Sequence, residues 1–342
     1  MSQNSNQGIE NHLLDKERGV LIRAAIRQRG DELRRTHPWL KHQNIIGMAI
    51  LFFSIFGIVM TAWFYLLGLV SAWICIPVVA ILTSLLHELE HDLIHKLYFK
   101  KNKFVHNLML LSVWVFRPGT INPWIRRRLH FLHHQTSGTS SDIEERGIGN
   151  GRHYGLVRLF IMFDTFIGNT LAVLLEGPRG KKLNHILRII IAHAPFAIVC
   201  ALTWYGFLFF HLIDSVGVWV WPEPVLIFMN YINDIVVVLV GPFYLRSFCL
   251  NFISSNMHYY GDVKTVGQQT QVLNAWFLWP FQLFCFNFGS THSIHHFVIA
   301  EPFYIRQLTA SSAHRVMRDQ GIRFNDFGTF IRVNRYQIDP QS

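Results

Sequence analysis

The sequence has few charged residues, and acidic residues are the scarcest of them. Asp, Glu, Lys and Arg make up 15% of the 342 residues, while 51% are hydrophobic, whereas soluble domains carry about 25% charged residues. The net charge of +10 arises because 31 basic residues face only 21 acidic ones. This composition disfavours a soluble globule and a nucleic-acid-binding protein, and it favours loops that face an anionic membrane leaflet.

Cysteine is also scarce, and no two cysteines lie close together in the sequence. Cys75, Cys200, Cys249 and Cys285 all lie in apolar stretches, and no CxxC pair is present. This pattern disfavours a disulfide scaffold, a zinc knuckle and an iron–sulfur cluster. We therefore expect the four thiols to be small buried hydrophobic groups.

The N-terminal region has no apolar core, so a cleaved signal peptide is not expected. Residues 1–43 are polar and basic instead. Within them, residues 18–40 are predicted to form an amphipathic helix on the membrane surface.

Four later stretches are long and apolar enough to cross a bilayer, which takes about 20 residues. Two shorter apolar stretches, 104–116 and 272–288, are predicted to be membrane-embedded, and 156–175 is predicted to be interfacial because it contains Arg158 and Asp164. The sequence thus predicts an all-α integral membrane protein with four transmembrane helices and additional embedded or interfacial helices. The predicted spans are 45–66, 71–94, 186–213 and 225–250.

The distribution of basic residues predicts the orientation. The loops 67–70 and 214–224 contain no Lys or Arg, so the positive-inside rule places them outside and both termini in the cytosol. We predict three regions. They are a cytosolic N-terminal segment (1–43), a membrane domain (44–304) and a cytosolic C-terminal tail (305–342).

Histidine is abundant, with 19 copies, and most of the informative ones are clustered. Spacings of three or four residues place the rings of each cluster on one face of a helix, and the predicted topology puts every cluster at a cytosolic helix end. Many polar rings at apolar helix ends are costly unless something satisfies them, which favours metal ligation. The isolated His258 fits a structural role equally well. The candidate ligands are His87, His91, His95, His130, His133, His134, His258, His292, His295 and His296.

The size and chemistry of this set indicate which metal it binds. A zinc ion takes about four ligands, so the set is large enough for two metal ions. All-nitrogen ligation without thiolate suits iron, and open positions on iron suit dioxygen. The Glu-x-x-His motif of soluble di-iron bundles needs two copies and occurs here only as Glu88-x-x-His91, so that fold is not favoured.

Two other functions remain open. His87 to His91 satisfies the H-E-x-x-H motif of zinc metalloproteases,. However, an intramembrane protease would also need a later Asp ligand near an Asp-Gly turn, which the sequence lacks, and the other clusters would have no role. A non-enzymatic metal-binding membrane protein or transporter is the second alternative, although histidines on one side of the membrane argue against conduction.

The motifs H-x-x-x-H at the end of the second span, H-x-x-H-H, and a late H-x-x-H-H resemble the membrane fatty acid desaturase and hydroxylase superfamily, over residues 45–304. The resemblance implies four spans and a cytosolic di-iron site (two Fe, cycling between Fe²⁺ and Fe³⁺) held by histidines. It also implies an oxidoreductase that uses O2 and external electrons to attack an unactivated C–H bond of a fatty acid or fatty acyl chain.

The resemblance assigns the histidines to three boxes and one additional ligand. The first box is ambiguous, because both His87/His91 and His91/His95 fit H-x-x-x-H; the distance to the second box favours His91/His95. The second box falls on His130, His133 and His134, the third on His292, His295 and His296, and the additional ligand on His258.

Segment 137–147, after the second box, is similar to a branch of bacterial membrane fatty acid decarboxylases that make terminal 1-alkenes. Desaturation, lipid hydroxylation and oxidative decarboxylation of a free fatty acid therefore all stay open. The bacterial resemblance implies an inner-membrane location. The acidic residues of this segment, Asp142, Glu144 and Glu145, are expected to form a solvated face or to pair with nearby arginines.

The expected partners are an electron donor and a substrate or lipid that carries negative charge. No nucleotide fingerprint, flavin domain or heme motif is visible, so the resemblance implies an external donor, ferredoxin-, rubredoxin- or cytochrome b5-like, with its reductase. Arg126, Arg127 and Arg128 precede the second box and are candidates to hold a carboxylate or a phosphate-bearing carrier; contact with anionic membrane lipids is the alternative.

Overall fold

The computed structural model of the chain describes residues 2–217 and 219–337, with side chains from Asp15 onward. Position 218 of the predicted outer loop, residue 1 of the N-terminal segment and residues 338–342 of the predicted tail lie outside this part. The described residues form helices and turns, with isolated β-bridges and no strand, and the prediction of an all-α membrane protein is confirmed. In chain order the helices are α1 (Ser2–Thr36), α2 (Gln43–Leu66), α3 (Ala72–Ile94), α4 (Lys103–Val115), α5 (Pro123–Thr136), α6 (Ile143–Arg146), α7 (Leu156–Phe163), α8 (Thr165–Glu176), α9 (Lys182–His193), α10 (Phe196–Val216), α11 (Glu223–Ile235), α12 (Gly241–Met257), α13 (Trp279–Phe284), α14 (Phe288–Phe297) and α15 (Phe303–Asp319).

Among the described residues, four helices are long and apolar enough to span a bilayer: α2, α3, α10, and the continuous segment Glu223–Met257. The last consists of α11 and α12 joined by a π-helical turn, Val236–Val240. Large apolar side chains such as Phe52, Phe53 and Phe56 lie exposed on α2, as expected for a surface that faces lipid. The chain is an integral membrane protein.

The third predicted span, 186–213, is wrong at its start. The structure divides it into α9, which ends at His193, and α10, which begins at Phe196. Pro195 lies between them. Because proline has no backbone N–H and disfavours helical geometry in the preceding residue, a helix usually ends before it.

The shorter apolar segments also differ in their structure. Segment 104–116 forms α4, whereas 156–175 is divided into α7 and α8 at Asp164. Asp164 caps α8 by accepting a hydrogen bond from the backbone N–H of Ile167 (3.0 Å), and its carboxylate also accepts from the hydroxyls of Tyr205 (2.8 Å) and Tyr244 (3.1 Å). Segment 272–288 is not one helix, because Val272 forms a β-bridge with Phe324 and only the short α13 follows.

The centre of the fold is the C-terminal half of α3, where every residue from His87 to Ile94 is buried. Helix α3 packs against α2 and α12, and α14 packs against α12 and α15. The predicted amphipathic helix is longer than expected and packs on α15, with Ile22 and Ile26 buried beside Ala313 and Met317. This packing encloses the ends of the histidine-bearing helices.

Candidate metal centre

Four helices bring their C-terminal ends, and the histidines located there, to one place. His95 and His258 follow directly after α3 and α12, and the last turns of α5 and α14 carry His133, His134, His295 and His296. Because the C-terminal end of a helix carries a partial negative charge, this convergence favours a cation.

The structure brings His91, His95, His130 and His295 together, with one ring nitrogen of each within 4.8 Å of the others. We refer to these four as the first histidine group. The Nε2 atoms of His95 and His130 are 3.0 Å apart. His134 adjoins the group, since its Nε2 lies 3.2 Å from that of His130 and 3.1 Å from that of His295.

A second histidine group consists of His133, His258, His292 and His296, which are all buried and meet the same 4.8 Å limit. The Nε2 of His296 lies 3.4 Å from that of His258 and 3.3 Å from that of His292. The two groups are adjacent, because the ring centroids of His91 and His292 are 5.4 Å apart.

Hydrogen bonds on the outer side of several rings orient them. In each of these bonds the Nδ1–H group donates to an oxygen, so a neutral ring carries its lone pair on Nε2 and directs it inward, as in metal-bound histidines. The bonds run from His130 to Glu144 Oε2 (2.8 Å), from His133 to Asp142 Oδ2 (2.9 Å), from His258 to the Ser254 carbonyl (2.9 Å) and from His296 to Gln269 Oε1 (2.9 Å).

The inward nitrogens fit metal ions. Both ring nitrogens of His91 and the Nε2 of His133 are buried without a hydrogen-bond partner in the described part of the chain, which costs about 1–3 kcal/mol per atom unless something binds there. Two nitrogens that share one metal at about 2.1 Å lie about 3.0–3.4 Å apart. The Nε2–Nε2 contacts of 3.0, 3.2 and 3.4 Å match this separation.

Burial keeps several of these rings neutral. Removal from water, followed by the effect of neighbouring histidines, lowers the pKa of His95 to about 2 and that of His258 to about 3. For His133 burial acts in the same direction, but the hydrogen bond and charge of Asp142 outweigh it and raise the pKa to about 9. Neutral imidazole is the form that binds metals, so His95 and His258 are already in that form, whereas His133 must release a proton on binding one.

The structure does not bring His87 into either group. Its Nδ1 accepts hydrogen bonds from Arg117 Nη2 (3.1 Å) and Arg126 Nη1 (3.5 Å). A neutral His87 therefore carries its proton on Nε2, which leaves no free lone pair for a metal. Of the two registers of the first box, it is His91/His95 that enters the first group.

The H-E-x-x-H residues are not arranged as a zinc site. His87 and His91 do not share a group, and Glu88 Oε2 lies 3.7 Å from Arg306 Nη2. Glu90, the next acidic residue, pairs with Arg117 and lies 3.2 Å from Arg126. The acidic residues of this helix are thus ion-paired with arginines of the surrounding segments.

The three predicted substrate arginines lie in different places. Arg126 is mostly buried, between Glu90 and Glu144 (3.5 Å), and it lines a cavity beside the histidines. Arg128 is exposed and lines the same cavity. Arg127 stacks on Phe131, with 5.4 Å from its Cζ to the ring centroid.

That cavity has a volume of about 870 Å³ and extends from the histidines to α8 and α9. His130, His133 and His292 line one part of it, and Ala172, Val173 and Ile191 line another. Its size is within the range of small-molecule sites, about 300–1,000 Å³. The arrangement places a largely apolar space directly beside both histidine groups.

Sequence reasoning missed several residues of the site. Asp142 and Glu145 are buried rather than solvated, because Asp142 accepts from His133 and Glu145 Oε2 lies 3.2 Å from His258 Nδ1. Arg117 and Arg246 are also buried and line the cavity. Arg246 was detectable, since an ionisable residue within an apolar span is a functional signal.

Comparison with known families agrees with this geometry. The sequence profile of the family described as fatty acid desaturase matches residues 67–328, a range that contains both histidine groups and the cavity-lining part of α12. A comparison with curated proteins finds no match.

Proposed function

The chain belongs to the fatty acid desaturase family, and from this premise we propose that it is an O2-dependent membrane oxidase with a di-iron centre that acts on a fatty acid or fatty acyl chain. The observation that supports this most directly is the pair of adjacent histidine groups whose Nε2 atoms point inward at separations of 3.0–3.4 Å. Family membership itself makes the chain a desaturase-like oxidoreductase.

We assign the metal ligands to nine of the ten predicted histidines. His91, His95, His130, His134 and His295 would hold one iron, and His133, His258, His292 and His296 the other. When bound, the irons supply the redox chemistry by which O2 oxidises an unactivated C–H bond. This assignment leaves out His87, which was predicted from the sequence as a possible ligand.

The remaining residues of the site orient the ligands and position the substrate. Asp142 and Glu144 hold His133 and His130 through their Nδ1–H groups. Such outer bonds fix ring orientation and raise ligand basicity. The cavity holds the chain beside the histidines, and its apolar lining from α8 and α9 excludes water from the acyl portion.

The orientation in the membrane is part of the proposal. Both termini and the histidine groups are placed in the cytosol, because the opposite loops lack basic residues,. A bacterial inner membrane is the proposed location. Electrons would come from an external donor, ferredoxin-, rubredoxin- or cytochrome b5-like with its reductase, which the basic cytosolic face can attract if the donor is acidic.

Oxidative decarboxylation of a free fatty acid to a 1-alkene is the second candidate reaction. It is supported by the similarity of segment 137–147 to the alkene-forming branch and by the buried arginines around the cavity. Hydroxylation would use the same site and has no separate support in the geometry.

Metal analysis tests the proposal. The purified full-length protein should contain about two irons per chain, and His134→Ala should lose iron and turnover together, whereas His153→Ala, at an exposed histidine outside the site, should lose neither. About one zinc per chain would overturn the proposal in favour of a zinc protein.

Product analysis distinguishes the reactions. Gas chromatography–mass spectrometry of cells that express the protein should show new oxidised products in the total fatty acids or the headspace, absent with His134→Ala. An internal double bond indicates desaturation, an alcohol indicates hydroxylation, and a headspace alkene one carbon shorter than the supplied acid indicates decarboxylation.

A further inference from the structure

Arg117, Arg126 and Arg246 line the cavity with largely buried side chains, and Arg246 has no acidic partner among the described side chains. Arg117 pairs with Glu90, and Arg126 lies 3.2 Å from Glu90 and 3.5 Å from Glu144. Arg246 is 2% exposed, and among the side chains that the structure describes it has no carboxylate within ion-pair distance.

The guanidinium of Arg246 has unused hydrogen-bond donors. Its Nη2 donates to Ser247 Oγ (2.9 Å), while Nε and Nη1 have no partner among the described residues. A buried cation without a counter-charge is strongly unfavourable in a low-dielectric site. Something outside the described chain is therefore needed to offset this charge.

The neighbouring arginines increase the excess of positive charge. Burial lowers the pKa of Arg117, and the positive charges of Arg246 and Arg126 lower it further. The single carboxylate of Glu90 already pairs with both Arg117 and Arg126. The part of the cavity that these three arginines line is thus electrostatically suited to one additional anion.

The arginines are close to the histidines. Arg246 lies about three turns before His258, on the side of α12 where Leu250 and Ser254 also line the cavity. On the facing segments, Arg117 contacts His87, and the ring of Phe288 stacks on that of His292 at a centroid distance of 4.1 Å. The anion site and the second histidine group therefore belong to one cavity.

We propose that Arg246, together with Arg117 and Arg126, binds the carboxylate of a free fatty acid, so that the substrate is the unesterified acid. This inference rests on the proposed function. A carboxylate matches the two free donors of a guanidinium fork and supplies the missing charge. A thioester or ester carbonyl has no charge to offset that of Arg246, and a phosphate head group cannot stay at the membrane surface and also reach a residue buried this deeply.

The proposal fixes the direction of the substrate. The carboxyl end lies at the arginines, two of which contact His87, and the acyl chain runs toward the apolar residues of α8 and α9. A free acid in this direction suits the decarboxylation candidate better than the desaturation of an acyl ester.

Ligand binding under anaerobic conditions tests the proposal without turnover. Binding of radiolabelled dodecanoate to the full-length protein in detergent should be about tenfold or more tighter than that of methyl dodecanoate, because a charged hydrogen bond to a buried group is lost in the ester. Arg246→Met should reduce acid binding to the ester level and leave ester binding unchanged, and Arg246→Lys should retain an intermediate preference. Arg179→Met, which removes the same charge from an exposed position, should behave like the wild type.

Three results would overturn the proposal: equal binding of acid and ester by the wild type, an equal loss of both ligands in Arg246→Met, or the same effect from Arg179→Met. The comparison of acid and ester binding by the wild type tests the proposal even if a variant does not fold. Ligand-free Arg246→Met should unfold at the wild-type temperature or higher, because an unpaired buried charge is removed; marked destabilisation would indicate a structural arginine.

Iron content measured on the same samples separates this inference from the proposed function. A preference for the acid in a protein without iron would support the carboxylate site and contradict the oxidase. About two irons without such a preference would support the oxidase and contradict the carboxylate site.

Discussion

The two histidine groups differ in how firmly their rings are held. In the second group, three of four rings donate an outer hydrogen bond, to Asp142, the Ser254 carbonyl and Gln269, and all four are buried. In the first group and its neighbour His134, His130 alone has such a bond to a described residue, Glu144, and His95 and His134 are partly exposed. The second group is therefore the better preorganised site, and the first is the more accessible one.

Removal of a ring from the second group should have the largest effect. His133→Ala deletes a proposed ligand whose position is set by Asp142, and the described neighbours in the second group are already assigned as ligands. Iron should fall to about one per chain or less and turnover by at least about a hundredfold, measured by metal analysis and product formation. Retention of full iron content would show that His133 is not a ligand, and His153→Ala serves as the control.

Weakening an outer bond should have a smaller effect than removing a ligand. Asp142→Asn keeps an oxygen that can accept from His133 but removes the buried charge, so iron affinity should fall by about 10–100-fold. The matched change in the first group is Glu144→Gln. The side chain of Glu144 is 19% exposed, so this variant should lose less iron affinity. Equal losses of iron affinity in the two variants would contradict the inferred difference in how firmly the two groups hold their rings.

Chelation should distinguish the groups without mutation. Because His95 and His134 are partly exposed while the second group is buried, a chelator should remove about half of the iron quickly and the remainder slowly. The measurement is the time course of iron release from the wild-type protein. Release in a single phase would contradict the inferred difference in accessibility.

The smallest effect is expected for His87→Ala. Its Nδ1 accepts from Arg117 and Arg126, so the variant should keep about two irons per chain, whereas His91→Ala should not. Metal analysis of both variants checks this. Loss of iron from His87→Ala would return His87 to the ligand set and favour the other register of the first box.

Local pattern was enough to predict much of this molecule. The four spans and the clusters His130 to His134 and His292 to His296 follow from apolar length and from spacings of three and four residues. These signals are contained within single helices. The break before α10 has an equally local cause, since Pro195 lies in the apolar stretch, although apolar length alone predicts one continuous span there.

Contacts between distant segments could not be predicted in this way. The pattern around His258 was ambiguous, and only the approach of α12 to α14 places its Nε2 3.4 Å from that of His296. The sequence of the segment that contains Asp142 and Glu145 indicates a solvated face. In the structure this segment packs against the second box, where burial requires each carboxylate to have a partner.

By itself the sequence determined that this chain is a helical membrane protein with histidine boxes at its helix ends, because hydrophobic length and helical period are properties of consecutive residues. Only the tertiary structure decided which rings share a group, that His87 faces arginines, and that Arg246 has no carboxylate partner among the described side chains. The physical reason is that a metal site and an ion pair depend on distances of a few ångströms between residues far apart in the chain, and packing alone sets those distances.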